Sequence, residues 1–325
     1  MIVAARDAWP GLAAAGTATL AAQFLSDHYG APAMLMALLL GIALNPLSEA
    51  PRFGPGIAAG GREVLRLGVA LLGLRIGWDL AASLGAEVLA LVVAGVAVTI
   101  GAGLALGRFF GFRMRFSFLS GGSVAICGAS AAMAIAAILP KDERSEERLA
   151  FTVVTVTVLS TIAMVLYPIL AAAIGFDERT AGIFIGATIH DVAQVVGAGF
   201  SVSEATGETA TLVKLVRVTL LAPVVLVAGV ILRHGQVGGE RPPLIPGFVA
   251  AFLGLAIVNS LGVVPSAITT LAADISRWAL LTAVAAVGMR TSLRQLGEVG
   301  PAAVALVATE TLILAAFVAC ALWLL

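Results

Sequence analysis

Apolar residues run through this chain in long blocks, not in short alternating stretches, and clusters of Pro, Gly, Arg and acidic residues separate the blocks. Residues 116–140, 149–176 and 242–273 are free of charge. A helix needs roughly 20 mostly apolar residues to cross a hydrocarbon core about 30 Å thick. Runs of that length without strict alternation predict helices, not the tilted strands of an outer-membrane barrel. The pattern predicts eleven segments, near 9–26, 32–47, 63–82, 87–107, 117–139, 149–174, 179–200, 211–233, 244–262, 275–290 and 300–325. Turn chemistry supports the breaks: Asn45, Pro46 and the cluster from Pro51 to Pro55 end the second segment, Pro140 ends the fifth, and Pro242, Pro243 and Pro246 open the ninth. Connections are short, so residues 1–325 read as a single all-α, polytopic membrane domain.

Composition agrees: 60% of the 325 residues are hydrophobic, 12% are charged and the mean hydropathy is +1.05, too little polar surface for a water-soluble fold. The net charge is zero and offers no basic field for nucleic acid. Cys127 and Cys320 lie in apolar segments without CxxC or Cys/His spacing, which predicts two reduced, buried thiols and neither a disulfide framework nor a metal site. Arg6 and Asp7 precede an apolar stretch without a clear cleavage site, so the first segment is expected to be a retained helix.

Positive loops stay on the cytoplasmic side. With a cytoplasmic N-terminus and an external C-terminus, Arg6, Arg52, Arg62, Arg108, Arg113, Arg115, Arg233, Arg241, Arg290 and Arg294 share that side. Lys141, Arg144 and Arg148 disagree if segment five crosses completely. They agree if segments five and seven enter and return on one face. Full crossing by broken helices and paired re-entrant hairpins both stay open at this point.

The chain also repeats itself. A shift of 215 residues places Arg62 on Arg277, Leu65 on Leu280, Gly73 on Gly288, Arg75 on Arg290 and Gly85 on Gly300, and a shift of 214 places Pro32 on Pro246 and Asn45 on Asn259. Residues 30–111 thus resemble residues 244–325, on either side of the interrupted segments 117–139 and 179–200. An odd number of crossings separates the copies, which predicts inverted repeats. A fainter match sets Gly128, Ala129, Ser130 against Gly186, Ala187, Thr188, and would make segments five and seven symmetry mates.

The candidate chemistry sits in those two segments. Unwound backbone inside a membrane is tolerated where protein buries it or a polar cavity meets it, and freed helix N-termini offer amide donors to an anion. His190 and Asp191 interrupt an uncharged run, where ionisable groups face a bundle interior or water. They are candidate carriers of a coupling proton or ion, and the bland alternative is that they cap the broken helix. Lys214 and Arg217, three apart on one helix face, read as an anion cradle or as snorkelling cations. Ser123, Cys127, Gly128, Ser130, Gly186, Thr188 and Gln194 complete the candidate binding set, with close helix packing as the alternative. Glu310, a lone carboxylate in the last helix, is a further candidate proton carrier. Arg75 and Arg290 are candidate pathway residues; Arg75 is also spaced to pair with Asp79, and Arg290 closes a segment of only twelve uncharged residues.

The segments Gly121, Gly122, Ser123, Ile126 to Ala132, then Ile189 to Val196, then Lys214, Leu215, Val216, Arg217 resemble the YeiH family of bacterial inner-membrane proteins, to which sulfate export has been ascribed. The resemblance covers most of the chain. It implies a multi-pass permease of the inner membrane and puts sulfate forward as substrate. The expected function is therefore a secondary active transporter of a small anion, sulfate or another sulfur oxyanion or sulfonate, coupled to H⁺ or Na⁺ by alternating access. The sequence is also compatible with a homo-oligomer. An ion channel and a cation-coupled carrier of a non-anionic solute are the alternatives. An intramembrane enzyme built on His190, Asp191 and Cys127 is less favoured, because HExxH and GxSxG are absent, and the absence of GxxxxGK[ST] argues against primary pumping by this chain alone; no cofactor is expected.

Overall fold

The fold is taken from a computed structural model, which describes residues 5–76, 84–140, 142–232, 246–292 and 300–324. The described residues form helices and turns and no strand. The first third of the chain holds α1 (Ala5–Tyr29), α2 (Ala33–Ala43), α3 (Pro46–Glu49), α4 (Gly54–Ala59), a π turn over Gly60–Val64, α5 (Leu65–Leu72) and α6 (Gly85–Leu106). Then follow α7 (Met114–Ala125), α8 (Ala129–Ile138), α9 (Ser145–Ile174), α10 (Glu178–Thr188), α11 (Val192–Val202), α12 (Glu204–Thr219) and α13 (Leu221–Leu232). The chain closes with α14 (Gly247–Ser260), α15 (Ser266–Arg290) and α16 (Pro301–Leu324). Among the described residues, five helical stretches are long and apolar enough to cross a membrane: Gly85–Leu106, Ser145–Ile174, Glu204–Ile231, Ser266–Arg290 and Pro301–Leu324.

Local chemistry sets the less obvious boundaries. Segment eight begins earlier than the apolar run suggests: the Ser203 hydroxyl accepts the Thr206 amide at 3.1 Å and starts α12 within the charged stretch of Glu204 and Glu208. Asp177 likewise accepts the Thr180 amide at 2.7 Å and opens α10, and the Thr180 hydroxyl together with this amide holds its carboxyl below the usual range. Segment ten also starts early, at Ser266, so α15 spans 25 residues and is not the short crossing expected from its uncharged run. The hydroxyls of Thr152, Thr155 and Thr161 bond the carbonyls four residues back, so α9 hides its polar groups in its own backbone.

Segments five and seven are helical hairpins. Arg115, at the start of α7, pairs with Asp142, just beyond the end of α8, at 2.8 Å, and a side chain on Gly122 would collide with Ile135. Both ends of α7–α8 therefore lie on one side. In the second hairpin Thr206, one turn after α11, bonds the Glu178 carbonyl at the start of α10 at 3.0 Å, so α10 and α11 also return to their starting side. The 30 residues of α9 join the base of the first hairpin to the base of the second, and the two enter from opposite sides with their tips meeting in the middle.

The helices sort into two bundles. One holds α1, α2, α4, α5, α14 and α15; the other holds both hairpins with α6, α9, α12 and α16. The second hairpin bridges them, because α11 packs on α2 and α15, with Gly197 against Val284. Within the first bundle two close approaches are reciprocal: Gly73 lies on the Phe252 carbonyl, and Gly288 lies on the Leu38 carbonyl. Residues 73 and 288 are 215 apart, and 38 and 252 are 214 apart.

Candidate functional site

The first hairpin turns at Ile126 to Gly128, where Gly128 has φ +59° and ψ −125°, a conformation that a side chain resists. A Cβ there would also stand 2.5 Å from Asp191 Oδ1. The second hairpin turns at Ile189 to Asp191 with φ of −68° at Ile189 and −97° at Asp191, so this turn accommodates full side chains. Its Asp191 carboxylate lies across the start of α8 and faces the Ala129 amide, so an acid from one hairpin occupies the helix N-terminus of the other. The Asp191 amide is held by the Ser160 hydroxyl at 3.1 Å.

On the other side of the crossing, α7 and α10 end with unpaired carbonyls, as every helix does. Lys214 and Arg217 collect them. Lys214 Nζ donates to Ile126 O and Ile189 O, both at 2.8 Å. Arg217 donates to the carbonyls of Val124 and Ala125 and, at 3.1 Å, to Ile189. Both side chains are buried, with 0% and 1% exposure. They do not snorkel, and most of their donors are spent on backbone.

His190 is fully buried; its Nε2 lies 3.0 Å from the Thr311 hydroxyl. Gln194 donates to the Thr161 hydroxyl at 3.4 Å, and that hydroxyl lies 3.4 Å from Thr291 Oγ1. Glu310 accepts the Ser120 hydroxyl at 2.8 Å. The atoms His190 Nδ1, Gln194 Oε1 and Glu310 Oε2 are buried without a hydrogen-bond partner, the kind of unmet valence that in a native interior calls for water, a proton or a ligand. Ser130 and Arg290 are exposed and Asp191 partly so, while His190, Gln194, Lys214 and Arg217 are closed off. Arg290, at the end of α15, is a further cation facing Asp191.

Apart from Cys127 at the first tip, the remaining candidates lie apart from this crossing or face away from it. Ser123 and Thr188 donate to the carbonyls of Leu119 and Phe184 in their own helices. Gly186 lets α10 approach the Ala210 carbonyl of α12. Gly186 to Thr188 precede the second turn whereas Gly128 to Ser130 follow the first, so the faint match between them pairs non-equivalent positions. Cys127 is buried at the first tip, but Cys320 is exposed on α16, contrary to expectation. Asp79 lies outside the described residues, as do Lys141, Arg233, Arg241, Pro242, Pro243 and Arg294. Arg75 pairs with Glu204 at 2.7 Å and Glu208 at 2.8 Å and lines a cavity of about 440 Å³ with Arg277, Ser276 and Ser26, between α1, α15 and the end of α11. Ser160, Thr161, Thr291, Thr311 and Ser120 are parts of the network that sequence reasoning did not single out. Their signal was weak, since each is one small hydroxyl in an apolar helix.

Residues 10–307 match the profile of a family described as "Conserved hypothetical protein 698". The chain belongs to this family. Members named "UPF0324 membrane protein TauZ" include one from Paracoccus pantotrophus, 59% identical over 98% of this chain and 96% of the relative. Another, from Paracoccus denitrificans, is 60% identical over 96% and 94%. A UPF0324 membrane protein of Chlorobaculum tepidum is 52% identical over 95% and 88%. The family resemblance read from the two interrupted segments stands, and the protein is an all-α polytopic membrane protein. No solved structure matches the chain.

Proposed function

We infer that the protein is a secondary transporter of a small anion, and the observation that carries this reading is the partly exposed Asp191 carboxylate resting on the N-terminus of α8 where the two hairpin tips meet. Lys214, Arg217 and Arg290 surround the crossing with positive charge, which one carboxylate does not balance. Asp191 acts as a tethered resident anion. When a proton neutralises it, the Ala129 amide and the surrounding cations are free to hold a mobile anion, so proton and substrate bind together. The buried, unpartnered His190 Nδ1 and Gln194 Oε1 form the deeper wall, Ser130 lies at its mouth, and Glu310 is a second proton-carrying group.

Two bundles joined through α11 suit alternating access, with one bundle rocking against the other around a fixed crossing. The reciprocal contacts of Gly73 with Phe252 and of Gly288 with Leu38 support reading residues 30–111 and 244–325 as inverted repeats. Sulfur oxyanions and sulfonates are the first candidates, in keeping with the family to which sulfate export has been ascribed. The loop of Arg115, Arg144 and Arg148, on the side from which the first hairpin enters, supports a cytoplasmic placement of that side in the inner membrane.

The test is flux into proteoliposomes across sulfate, sulfite, thiosulfate, taurine and small carboxylates, with and without a pH gradient. Saturable flux stimulated by the gradient is expected for at least one anion, with the stimulation lost in Asp191→Asn. Flux unaffected by that change, in folded protein, removes Asp191 from the coupling. No flux of any anion overturns the reading.

A further inference from the structure

A second cavity lies away from the crossing. It is a groove of about 830 Å³ on the outside of the hairpin bundle, between α6, the base of the first hairpin and α13. Its walls are apolar: Val93, Val96 and Ile100 from α6, Phe118 from α7, and Val224 and Val227 from α13. Parts of these walls face outward, with Val93 52% and Val227 59% exposed. One end differs. Arg113, Arg115 and Arg148 gather there with a single acid, Asp142. Asp142 pairs with both Arg115 and Arg148, and Arg113 makes no ion pair among the described residues. Among the residues that line the groove, three cations face one carboxylate at the mouth of an apolar channel.

We propose that this groove is a binding site for an anionic phospholipid of the bilayer. The phosphate sits at Arg113 and its neighbours, and an acyl chain lies between α6 and α13. Basic pockets between transmembrane helices recognise anionic headgroups in this way. The apolar wall matches the chemistry of an acyl chain, which an inorganic anion lacks. A neutral lipid would fill the channel but leave the charge at its mouth unmet. The position also gives the lipid leverage, because it wedges against the base of the hairpin whose tip forms the crossing. The proposal does not depend on what the protein transports.

The experiment is native mass spectrometry and thermal unfolding of the full chain in detergent, with added phosphatidylglycerol, phosphatidylcholine or inorganic phosphate. Phosphatidylglycerol is expected to be retained at least tenfold better than phosphatidylcholine and to raise Tm, with no such rise from phosphate alone. Arg113→Gln removes the unpaired cation without orphaning Asp142, and Val227→Trp fills the channel from its exposed wall. Each is expected to lower phosphatidylglycerol retention at least fivefold. Equal retention of the two lipids by the unmodified protein overturns the proposal, and so does unchanged retention in both variants. A Tm rise with phosphate equal to that with phosphatidylglycerol would mean a headgroup-sized ion site and would also overturn it. If a variant fails to fold, the lipid comparison on the unmodified protein decides alone.

Discussion

The two hairpins have the same outline and contribute opposite things. The first, turning through Gly128 at φ +59°, meets the cations and Asp191 through backbone: the carbonyls of Val124, Ala125 and Ile126 and the amide of Ala129. The second, turning at negative φ, supplies His190 and Asp191 as side chains, with the Ile189 carbonyl as its only backbone contact to the cations. A glycine turn frees backbone groups and has no side chain to offer; a turn in extended conformation keeps its side chains and hides its amides. In the proposed function one hairpin is the receptacle and the other carries the groups that take the proton.

The comparison breaks most severely at the cations. Arg217→Met is expected to leave the carbonyls of Val124 and Ala125 buried and unpaired, at about 1–3 kcal/mol for each lost partner, and to collapse the first tip. A fall in Tm of several degrees in detergent checks this, and an unchanged Tm would deny that Arg217 holds the hairpins together. Arg217→Lys should recover only part of the loss, because an ammonium cannot reach three carbonyls with a planar fork. Next comes Gly128→Ala, which forces a side chain into a conformation costing about 1–3 kcal/mol and pushes its Cβ onto Asp191. It is expected to destabilise the fold and slow transport together. The sharpening test is Asp191→Asn, which keeps a group able to accept the Ala129 amide: Tm within a degree or two of the unmodified protein, anion binding present, and its pH dependence gone. Loss of stability as large as that of Arg217→Met would make Asp191 a mere cap.

The smallest effect is expected at the base of the first hairpin. There the Arg148 guanidinium holds the Asp142 carboxyl at about 2, with help from Ser145 and the Arg144 amide. A carboxyl lowered in the folded state stabilises above its ordinary value of 3.8 and loses that contribution as pH falls towards 2. Asp142 is therefore ionised throughout pH 5–8. Asp142→Asn should leave the pH dependence of flux unaltered across that range, since exposed ion pairs contribute little. A pH profile that moves with Asp142→Asn would shift the coupling away from the tips.

The sequence carried the segments and several of the residues that meet at the crossing, but not its wiring. Eleven apolar blocks were legible because lipid demands them. The starts of α12 and α15 were not, because Glu204, Glu208, Asp274 and Arg277 lie within the helices and an apolar run stops at charge. Whether a 25-residue stretch crosses or doubles back depends on one turn, and Gly128 looks the same in sequence either way. Lys214 and Arg217 were visible as a pair on one face. Their partners were not, because a carbonyl belongs to every residue and leaves no mark on residue type. The same reason made Gly186 and Thr188 look like site residues: small polar groups serve close packing and ligand contact with one vocabulary.

That wiring has a consequence for genetics. Interactions made through main-chain oxygen survive almost any replacement at Val124, Ala125, Ile126 and Ile189 that fits the space, so a mutational scan would score these positions by volume alone. Of the residues that make these bonds, the scan would register Lys214 and Arg217, where a single codon controls several contacts at once. Suppressors of a lost cation should accordingly arise in neighbouring helices that can present a new donor, and not at the tips.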